Sequence, residues 1–251
     1  MKDIFGLAIL FMAAAFSGAA SAQQTKTMNT KNKTENQSLT ARQKGIVKIA
    51  ALTAKGDLEK LQPALVDGLD AGLTVNEIKE VLVQMYAYAG FPRSLNGIST
   101  FMKVLDERKK KGITDAPGKT ATPIDESSDK YERGRKTLEK LSGQPQSKPA
   151  KGFGEFAPEI DRFLKEHLFA DIFDSDILTY EERELATISA LASMPGVESQ
   201  LESHLGFGMN VGLTENQLSE AFALIEKNIS QSQAETARKS LAKVTAARQK
   251  R

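Results

Sequence analysis

Few side chains in this sequence are suited to acid–base or nucleophilic chemistry. The chain contains two histidines, His167 and His204, and no cysteine. An imidazole exchanges protons near neutral pH, so each histidine is a candidate general acid or base. His167 lies between Glu166 and Leu168, and we expect it on a solvated helix face. For His204 a packed or surface role is the alternative to a functional one.

The sequence also excludes several kinds of site. Neither an H-x-x-x-H nor an H-E-x-x-H pattern occurs, so we predict no bound metal. Without cysteine, disulfides, thiol redox chemistry and thiolate metal sites are impossible. No glycine-rich phosphate loop, nucleophile elbow or dinucleotide fingerprint is present, and we expect no cofactor. With 34 basic and 32 acidic residues, the net charge of +2 is too balanced to predict binding to nucleic acid.

Two stretches of the sequence match each other and predict an internal duplication. Leu39-Thr40 corresponds to Leu178-Thr179, and Ile49-Ala50-Ala51-Leu52 corresponds to Ile188-Ser189-Ala190-Leu191, at a constant offset. After one inserted residue, Gly56, Gly68 and Gly72 correspond to Gly196, Gly208 and Gly212. Chance similarity between helical stretches rarely keeps glycines in register. We therefore interpret the stretches as a first and a second copy of one unit.

The sequence pattern of each copy predicts three helices and no strand. Apolar residues repeat at helical spacing in the first and third segments of the first copy, as in Ile46, Ile49 and Ala50, and in Ile78, Val81 and Leu82. Capping-box patterns mark the helix starts at Thr40-x-x-Gln43, Thr74-x-x-Glu77, Thr179-x-x-Glu182 and Thr214-x-x-Gln217. We predict an all-α protein built from duplicated helical bundle units.

Composition divides the chain into six segments. Residues 1–22 run from charged to apolar to small and end in Ala20-Ser21-Ala22, which predicts a cleaved signal peptide and an exported, periplasmic protein. An uncleaved anchor or an apolar N-terminal helix is the alternative; after cleavage we expect no membrane association. Residues 23–38 hold almost no apolar residue and predict a flexible leader. The first copy follows over 39–111, a linker over 112–130, the second copy over 131–230, and a basic helix or tail over 231–251.

Several motifs resemble those of the carboxymuconolactone decarboxylase family, in which the alkyl-hydroperoxidase-D-like proteins also fall. The second copy carries E-L-A-T-I-S-A-L-A from Glu184, then Leu201-Glu202-Ser203-His204 and Asn210-Val211-Gly212-Leu213-Thr214. The first copy adds Tyr88-Ala89-Gly90-Phe91-Pro92, similar to the family's Y-x-G-F-P turn, and Phe169-Ala170-Asp171-Ile172-Phe173 resembles its lead-in. The resemblance covers about residues 39–105 and 131–229 and implies the family's helical fold.

The resemblance also narrows the chemistry. The peroxidase-like members use a C-x-x-C pair supported by a glutamate and a histidine, and those cysteine positions fall near Val197 and Gln200 here. Thiol peroxidase activity is therefore excluded, because the reaction needs thiols. The lactone decarboxylases do without thiols, and this leaves Glu184 and His204 as the candidate catalytic pair.

Each copy contains a part of the family motif that the other copy lacks. The first-copy positions that correspond to Glu184 and His204 are Gly45 and Ala64, whereas the second copy lacks the G-F-P turn. We therefore predict one composite site per chain, in which the turn near Phe91 from one copy, or from a neighbouring subunit, lines a pocket with the catalytic pair.

In this interpretation His204 gives a proton to a carbanion and Glu184 orients the imidazole. Arg183 or Arg93 holds a substrate carboxylate, and Tyr88 and Phe91 line the pocket. Glu184 is equally well a solvated residue in the first turn of its helix.

The implied function is a cofactor-independent lyase or decarboxylase acting on a small lactone or unsaturated carboxylic acid. The alternative is a non-catalytic binding or assembly protein that retains the fold. Family members with one unit form rings of six, so the resemblance implies that a duplicated chain assembles as a homotrimer.

Overall fold

The computed structural model describes residues 37–125, 127–148 and 150–250, and the chain is helical, without a strand, over these residues. The predicted signal peptide, and the predicted leader up to residue 36, lie outside the described residues. The helices are α1 (Ala41–Lys55), α2 (Leu58–Asp70), α3 (Val75–Ala89), α4 (Phe91–Lys110), α5 (Lys130–Ser142), α6 (Phe153–Phe156), α7 (Pro158–Arg162), a π-helix (Phe163–Ile172), α8 (Tyr180–Leu191), α9 (Glu198–Asn210), α10 (Glu215–Asn228) and α11 (Gln231–Gln249). None of these helices is long and apolar enough to cross a membrane.

The predicted capping boxes are present at all four helix starts. In each, a threonine hydroxyl accepts a hydrogen bond from the backbone three residues on, and the side chain at that position accepts one from the threonine N–H; the threonines are Thr40, Thr74, Thr179 and Thr214. At α3 the predicted linker adds two bonds, because the N–H groups of Val75 and Asn76 donate to the carbonyls of Ala116 and Pro117. The linker thereby satisfies donors that a first helical turn leaves free.

The first copy contains a fourth helix, α4, so the prediction of three helices there is wrong. The helix in the corresponding position after α10 is α11, which lies beyond the predicted end of the second copy at residue 230. The basic helix or tail predicted over 231–251 is helical over Gln231–Gln249 and packs against α9 and α10. Its buried face consists of Ala234, Ala237, Ser240 and Leu241. A face of mostly small side chains gives a weak hydrophobic pattern, and the basic residues of the exposed face dominate the sequence.

The first helices of the two copies, α1 and α8, pack against each other at the centre of the protein. Their contacts are reciprocal: Arg42 lies 3.4 Å from Glu182, and Gln43 donates to Glu181 at 2.9 Å. Arg42 and Glu181 correspond in the duplication, as do Gln43 and Glu182. The two copies therefore face each other through contacts related by approximate twofold symmetry, and α8 residues Ala186 and Ala190 belong to the core of the first copy.

A separate layer formed by α5 and the π-helix packs beside these two bundles. Its core residues are Leu141, Leu168, Phe169, Ile172 and Phe173, against which Tyr86, Tyr88 and Phe207 pack. Gly134 permits the close contact of α5 with the π-helix, since a Cβ at this position would lie 1.7 Å from the carbonyl oxygen of Lys165. The layer thereby brings the π-helix next to α3.

This contact predicts a large difference between two helical glycines. We expect Gly134→Ala to lower the free energy of unfolding by about 1–3 kcal/mol or more, because a backbone carbonyl must move. Gly206→Ala is the matched control: nothing lies within 4 Å of the added Cβ, so we expect a gain of about 0.5–1 kcal/mol. Urea unfolding followed by circular dichroism measures both. Equal effects of the two substitutions would contradict the described packing of α5.

Candidate functional site

Glu184 and His204 form a buried acid–base pair in the second copy. Glu184 lies in α8 and His204 in the middle of α9, and His204 Nδ1 is 2.7 Å from Glu184 Oε2. The two residues are 0% and 7% exposed. Gly208 allows the two helices to approach, since a Cβ there would meet Ile188 at 2.9 Å. The structure thus brings the two predicted residues together, and Glu184 is not a solvated first-turn residue.

The hydrogen bond between these residues selects the tautomer of the neutral imidazole. An ionised carboxylate only accepts hydrogen bonds, so Nδ1 of His204 donates to Glu184. In the neutral ring this leaves Nε2 of His204 without a proton and able to accept one. The arrangement matches the second and third members of a catalytic triad, in which a buried carboxylate fixes the tautomer and stabilises the imidazolium.

Tyr88, near the end of α3, brings the first copy into the site. Its ring centroid lies 5.4 Å from that of His204, and the two rings are nearly perpendicular at 82°. Phe207 packs against His204 as well, with 5.2 Å between ring centroids. Burial raises the pKa of the Tyr88 phenol, and the negative charge of Glu184 raises it further. Tyr88 is therefore a neutral hydrogen-bond donor throughout the physiological range.

Several buried side-chain atoms of the described residues lack a hydrogen bond of normal geometry, among them Glu184 Oε1, Tyr88 Oη and Arg183 Nε. The Tyr88 hydroxyl also interacts with the side chain of Thr187. Buried polar groups are nearly always hydrogen-bonded in native proteins, and an exception calls for an explanation such as a functional role. In the described part of the chain, no group of three or more His, Asp and Glu side chains could hold a metal ion.

Arg183 joins the two copies and does not lie at the rim of a pocket. Its side chain is fully buried and donates to Glu80 at 2.6 Å, to Gln84 at 2.9 Å and to the carbonyl of Ser175 at 2.8 Å. Gln84 in turn donates to the Arg183 carbonyl and to the hydroxyl of Thr187, each at 2.9 Å. Both terminal nitrogens of the guanidinium are therefore engaged, whereas the buried Nε has no hydrogen-bond partner among the described residues.

Arg93 and Phe91 lie outside the cluster around His204. Arg93 donates to the carbonyl of Ala54, near the end of α1 in its own copy. Phe91 is 62% exposed and stacks on Tyr86, with 4.5 Å between the ring centroids. Of the residues predicted to line the composite site, Tyr88 contacts His204, whereas Phe91 and Arg93 are held by other partners.

The sequence reasoning missed an arrangement around the second histidine. His167 is exposed as expected, but its Nδ1 lies 2.9 Å from Asp171 and its Nε2 is hydrogen-bonded to the Tyr86 hydroxyl. Both histidines of the chain are thus held at Nδ1 by a carboxylate and contact a tyrosine of α3. The four-residue spacing from His167 to Asp171 was a usable signal for one half of this arrangement. Tyr86 could not be found from spacing, because it comes from a distant helix.

The comparison with known families is consistent with this architecture. The model of the carboxymuconolactone decarboxylase family matches residues 9–100 and 158–243, which together make up most of the chain. The chain therefore belongs to this family, and the two matched segments agree with the duplication. A search of curated proteins finds no match.

The buried phenol predicts a loss of stability in alkali. The folded state retains the Tyr88 proton at pH values at which an unfolded tyrosine, with a pKa near 10, has released it. The free energy of unfolding should therefore fall from about pH 10 upward, by up to about 1.4 kcal/mol per pH unit. Tyr88→Phe should remove this contribution, as measured by urea unfolding at a series of pH values. Equal slopes for the two proteins would show that Tyr88 is not protected.

Proposed function

We propose that this member of the carboxymuconolactone decarboxylase family is a cofactor-independent lyase or decarboxylase for a small lactone or unsaturated carboxylic acid. In this proposal His204 gives a proton to the carbanion of the substrate, Glu184 orients the imidazole, and Tyr88 donates a hydrogen bond to the substrate. The chain contains no cysteine, so a peroxidase reaction of the thiol type is impossible.

The observation that carries the proposal is the 2.7 Å contact of His204 Nδ1 with the buried Glu184 carboxylate. Loss of carbon dioxide, or of a proton next to a carbonyl, leaves an electron pair on carbon that must be protonated again. An imidazolium held by a carboxylate is a suitable donor near neutral pH. The carboxylate of Glu184 holds the imidazole in place through Nδ1, which leaves Nε2 as the atom that exchanges the proton with the substrate.

The buried donors support a substrate with oxygen atoms. Tyr88 Oη and Arg183 Nε can each donate a hydrogen bond; Arg183 Nε has no partner among the described side chains, and Tyr88 Oη has only the Thr187 side chain beside it, without a bond of normal geometry. A lactone carbonyl or a carboxylate accepts such bonds. Arg93 and the two terminal nitrogens of Arg183 already have partners. We therefore propose that Tyr88 Oη and Arg183 Nε bind the substrate carboxylate, a role first expected of a bidentate arginine.

The competing proposal is a non-catalytic binding protein that retains the fold. The engaged guanidinium of Arg183 and the low exposure of His204 favour it, because both residues also serve as bridges between helices. We further propose export of the chain, which rests on the apolar stretch and the Ala20-Ser21-Ala22 pattern.

The first test separates these alternatives. The protein is screened against small lactones and unsaturated carboxylic acids in deuterated water, and product formation and C–H exchange are followed by NMR. We expect His204→Asn to lower kcat by about 100-fold or more, and Glu184→Gln by at least about tenfold. Arg93→Gln is the control and should leave kcat and KM unchanged, because its side chain is bound to α1. Turnover that survives in His204→Asn would refute the assigned role, and no turnover by the native protein would favour the binding protein.

We also propose that the protein assembles as a homo-oligomer, with the trimer as the expected form. The support is a strip of exposed apolar side chains on α6, α7 and the start of the π-helix, namely Phe153 (65%), Phe156 (93%), Ile160 (44%) and Phe163 (53%). Monomeric proteins rarely expose such a cluster, and apolar surface of this kind marks interaction sites.

Light scattering coupled to size exclusion tests the assembly. Phe156→Glu combined with Phe163→Glu should reduce the measured mass to that of a monomer, because charges in an apolar interface are costly to bury. Met102→Glu is the matched control, since it changes an apolar residue that is 65% exposed outside the strip. A native protein that is strictly monomeric removes the proposal, and an unchanged oligomer in the double variant removes the strip from the interface.

A further inference from the structure

Asp171, His167 and Tyr86 form a continuous hydrogen-bonded line at the surface. His167 Nδ1 lies 2.9 Å from Asp171 Oδ2, and His167 Nε2 is hydrogen-bonded to the Tyr86 hydroxyl. Asp171 and His167 lie four residues apart on the π-helix, whereas Tyr86 is on α3. The side chains of His167 and Asp171 are 52% and 38% exposed, and Tyr86 is partly buried.

The direction of these hydrogen bonds follows from the groups involved. The Asp171 carboxylate only accepts, so Nδ1 of His167 donates to it. In the neutral ring Nε2 is then an acceptor, and the Tyr86 O–H donates to it. Although partial burial opposes ionisation, hydrogen bonds from Lys130 and His167 hold the pKa of Asp171 below its ordinary value. A carboxylate, an imidazole and a hydroxyl are thus aligned in the order found in hydrolytic triads, with tyrosine in the position of the nucleophile.

The surroundings of Tyr86 suit an aromatic ester. Phe91 stacks on the Tyr86 ring at 4.5 Å and is 62% exposed, and so it offers a flat apolar face beside the hydroxyl. Asp171 and Lys130 also line a neighbouring surface cleft of about 610 Å³, which Tyr86 and His167 do not line. The Lys130 ammonium lies 2.8 Å from Asp171 Oδ1 and holds that carboxylate in place.

We propose that Tyr86 is a nucleophile that accepts acyl groups from aryl esters of small carboxylic acids, with His167 as its general base. Tyr86 Oη attacks the ester carbonyl carbon as its proton passes to His167 Nε2. The bond from that carbon to the aryl oxygen then breaks, and the departing phenolate takes the proton from His167. Water next attacks the acyl-tyrosine and gives a proton to His167, and the Tyr86 phenolate leaves and recovers it. The sum is ester plus water giving acid plus phenol, with no other reactant.

This site is separate from the pair in the second copy. His204 contacts Tyr88, Glu184 and Phe207, and none of these residues belongs to the line of Asp171, His167 and Tyr86. The inference therefore does not depend on the proposed decarboxylase-like function. The variant His204→Asn distinguishes the two sites because it should leave acyl transfer to Tyr86 intact.

The experiment uses the full protein and para-nitrophenyl acetate. We expect a burst of nitrophenolate and an acetyl group on Tyr86, located by mass spectrometry in the tryptic peptide Glu80–Arg93, which contains no lysine. Tyr86→Phe should abolish the acetylated peptide, and His167→Gln should slow its formation by at least about tenfold. Tyr180→Phe is the matched control, since it removes another partly buried tyrosine hydroxyl. His204→Asn should form the acetylated Tyr86 peptide at the native rate, although it lacks the histidine of the other site.

Two results would overturn the proposal. One is an acetyl group found only on lysines or on Tyr88, with nitrophenolate release unchanged in Tyr86→Phe. The other is an acetylation rate of Tyr86 that does not change in His167→Gln, which would make Tyr86 reactive without its histidine. Circular dichroism of each variant shows whether it is folded. If Tyr86→Phe does not fold, the exposed substitution His167→Gln decides the question.

Discussion

Arg183 places a permanent positive charge where its side chain has no solvent exposure, and the structure around it is arranged to compensate that charge. Removing a charge from water costs several kcal/mol unless partners replace its hydration. Here the partners are Glu80 and Gln84 of α3, which belongs to the other copy, and the carbonyl of Ser175. Glu80, Gln84 and Tyr88 follow each other at four-residue intervals along one face of α3. The ion pair that fixes α3 against α8 therefore also fixes the position of Tyr88 relative to Glu184 and His204.

Only one of the two copies can hold this site, and the packing of the other shows why. At the position that corresponds to Glu184, the first copy has Gly45, where a Cβ would meet Leu73 at 2.9 Å and the Cα of Gly68 at 3.3 Å. A glutamate at position 45 would therefore collide with Leu73 and press on the backbone of α2. In the second copy the Gly208 position, which corresponds to Gly68, leaves 3.7 Å between an added Cβ and the Cβ of Glu184. The first copy supplies α3 and Tyr88 to the site, and the second supplies the acid–base pair.

Sequence patterns predicted features that depend on neighbouring residues, and failed for contacts between residues that lie far apart in the sequence. The capping boxes and the duplicated register depend on residues within a few positions of each other, and the structure contains both. The pairing of Glu184 with His204 followed from resemblance to the family. The fate of Arg183 could not be predicted, because Glu80 and Gln84 lie on a helix about a hundred residues earlier in the chain. The contact between Tyr86 and His167 could not be predicted for the same reason. The packing of α11 was missed because its buried face consists mostly of small residues and its exposed face is basic.

The ion pair of Arg183 with Glu80 has a counterpart at the corresponding positions of the other copy, Lys44 with Glu220. The first is buried on the arginine side at 2.6 Å, whereas the second joins a 45% exposed lysine to its partner at 3.7 Å. In a dimer of two identical chains, every substitution occurs on both sides of the twofold axis at once, so a buried arginine would occur twice. When the two copies belong to one chain, a substitution in one copy leaves the other copy unchanged. In this protein the Arg183–Glu80 pair is buried, whereas the Lys44–Glu220 pair has remained a solvated surface contact. Because the two copies belong to one chain, each pair has been able to change independently of the other.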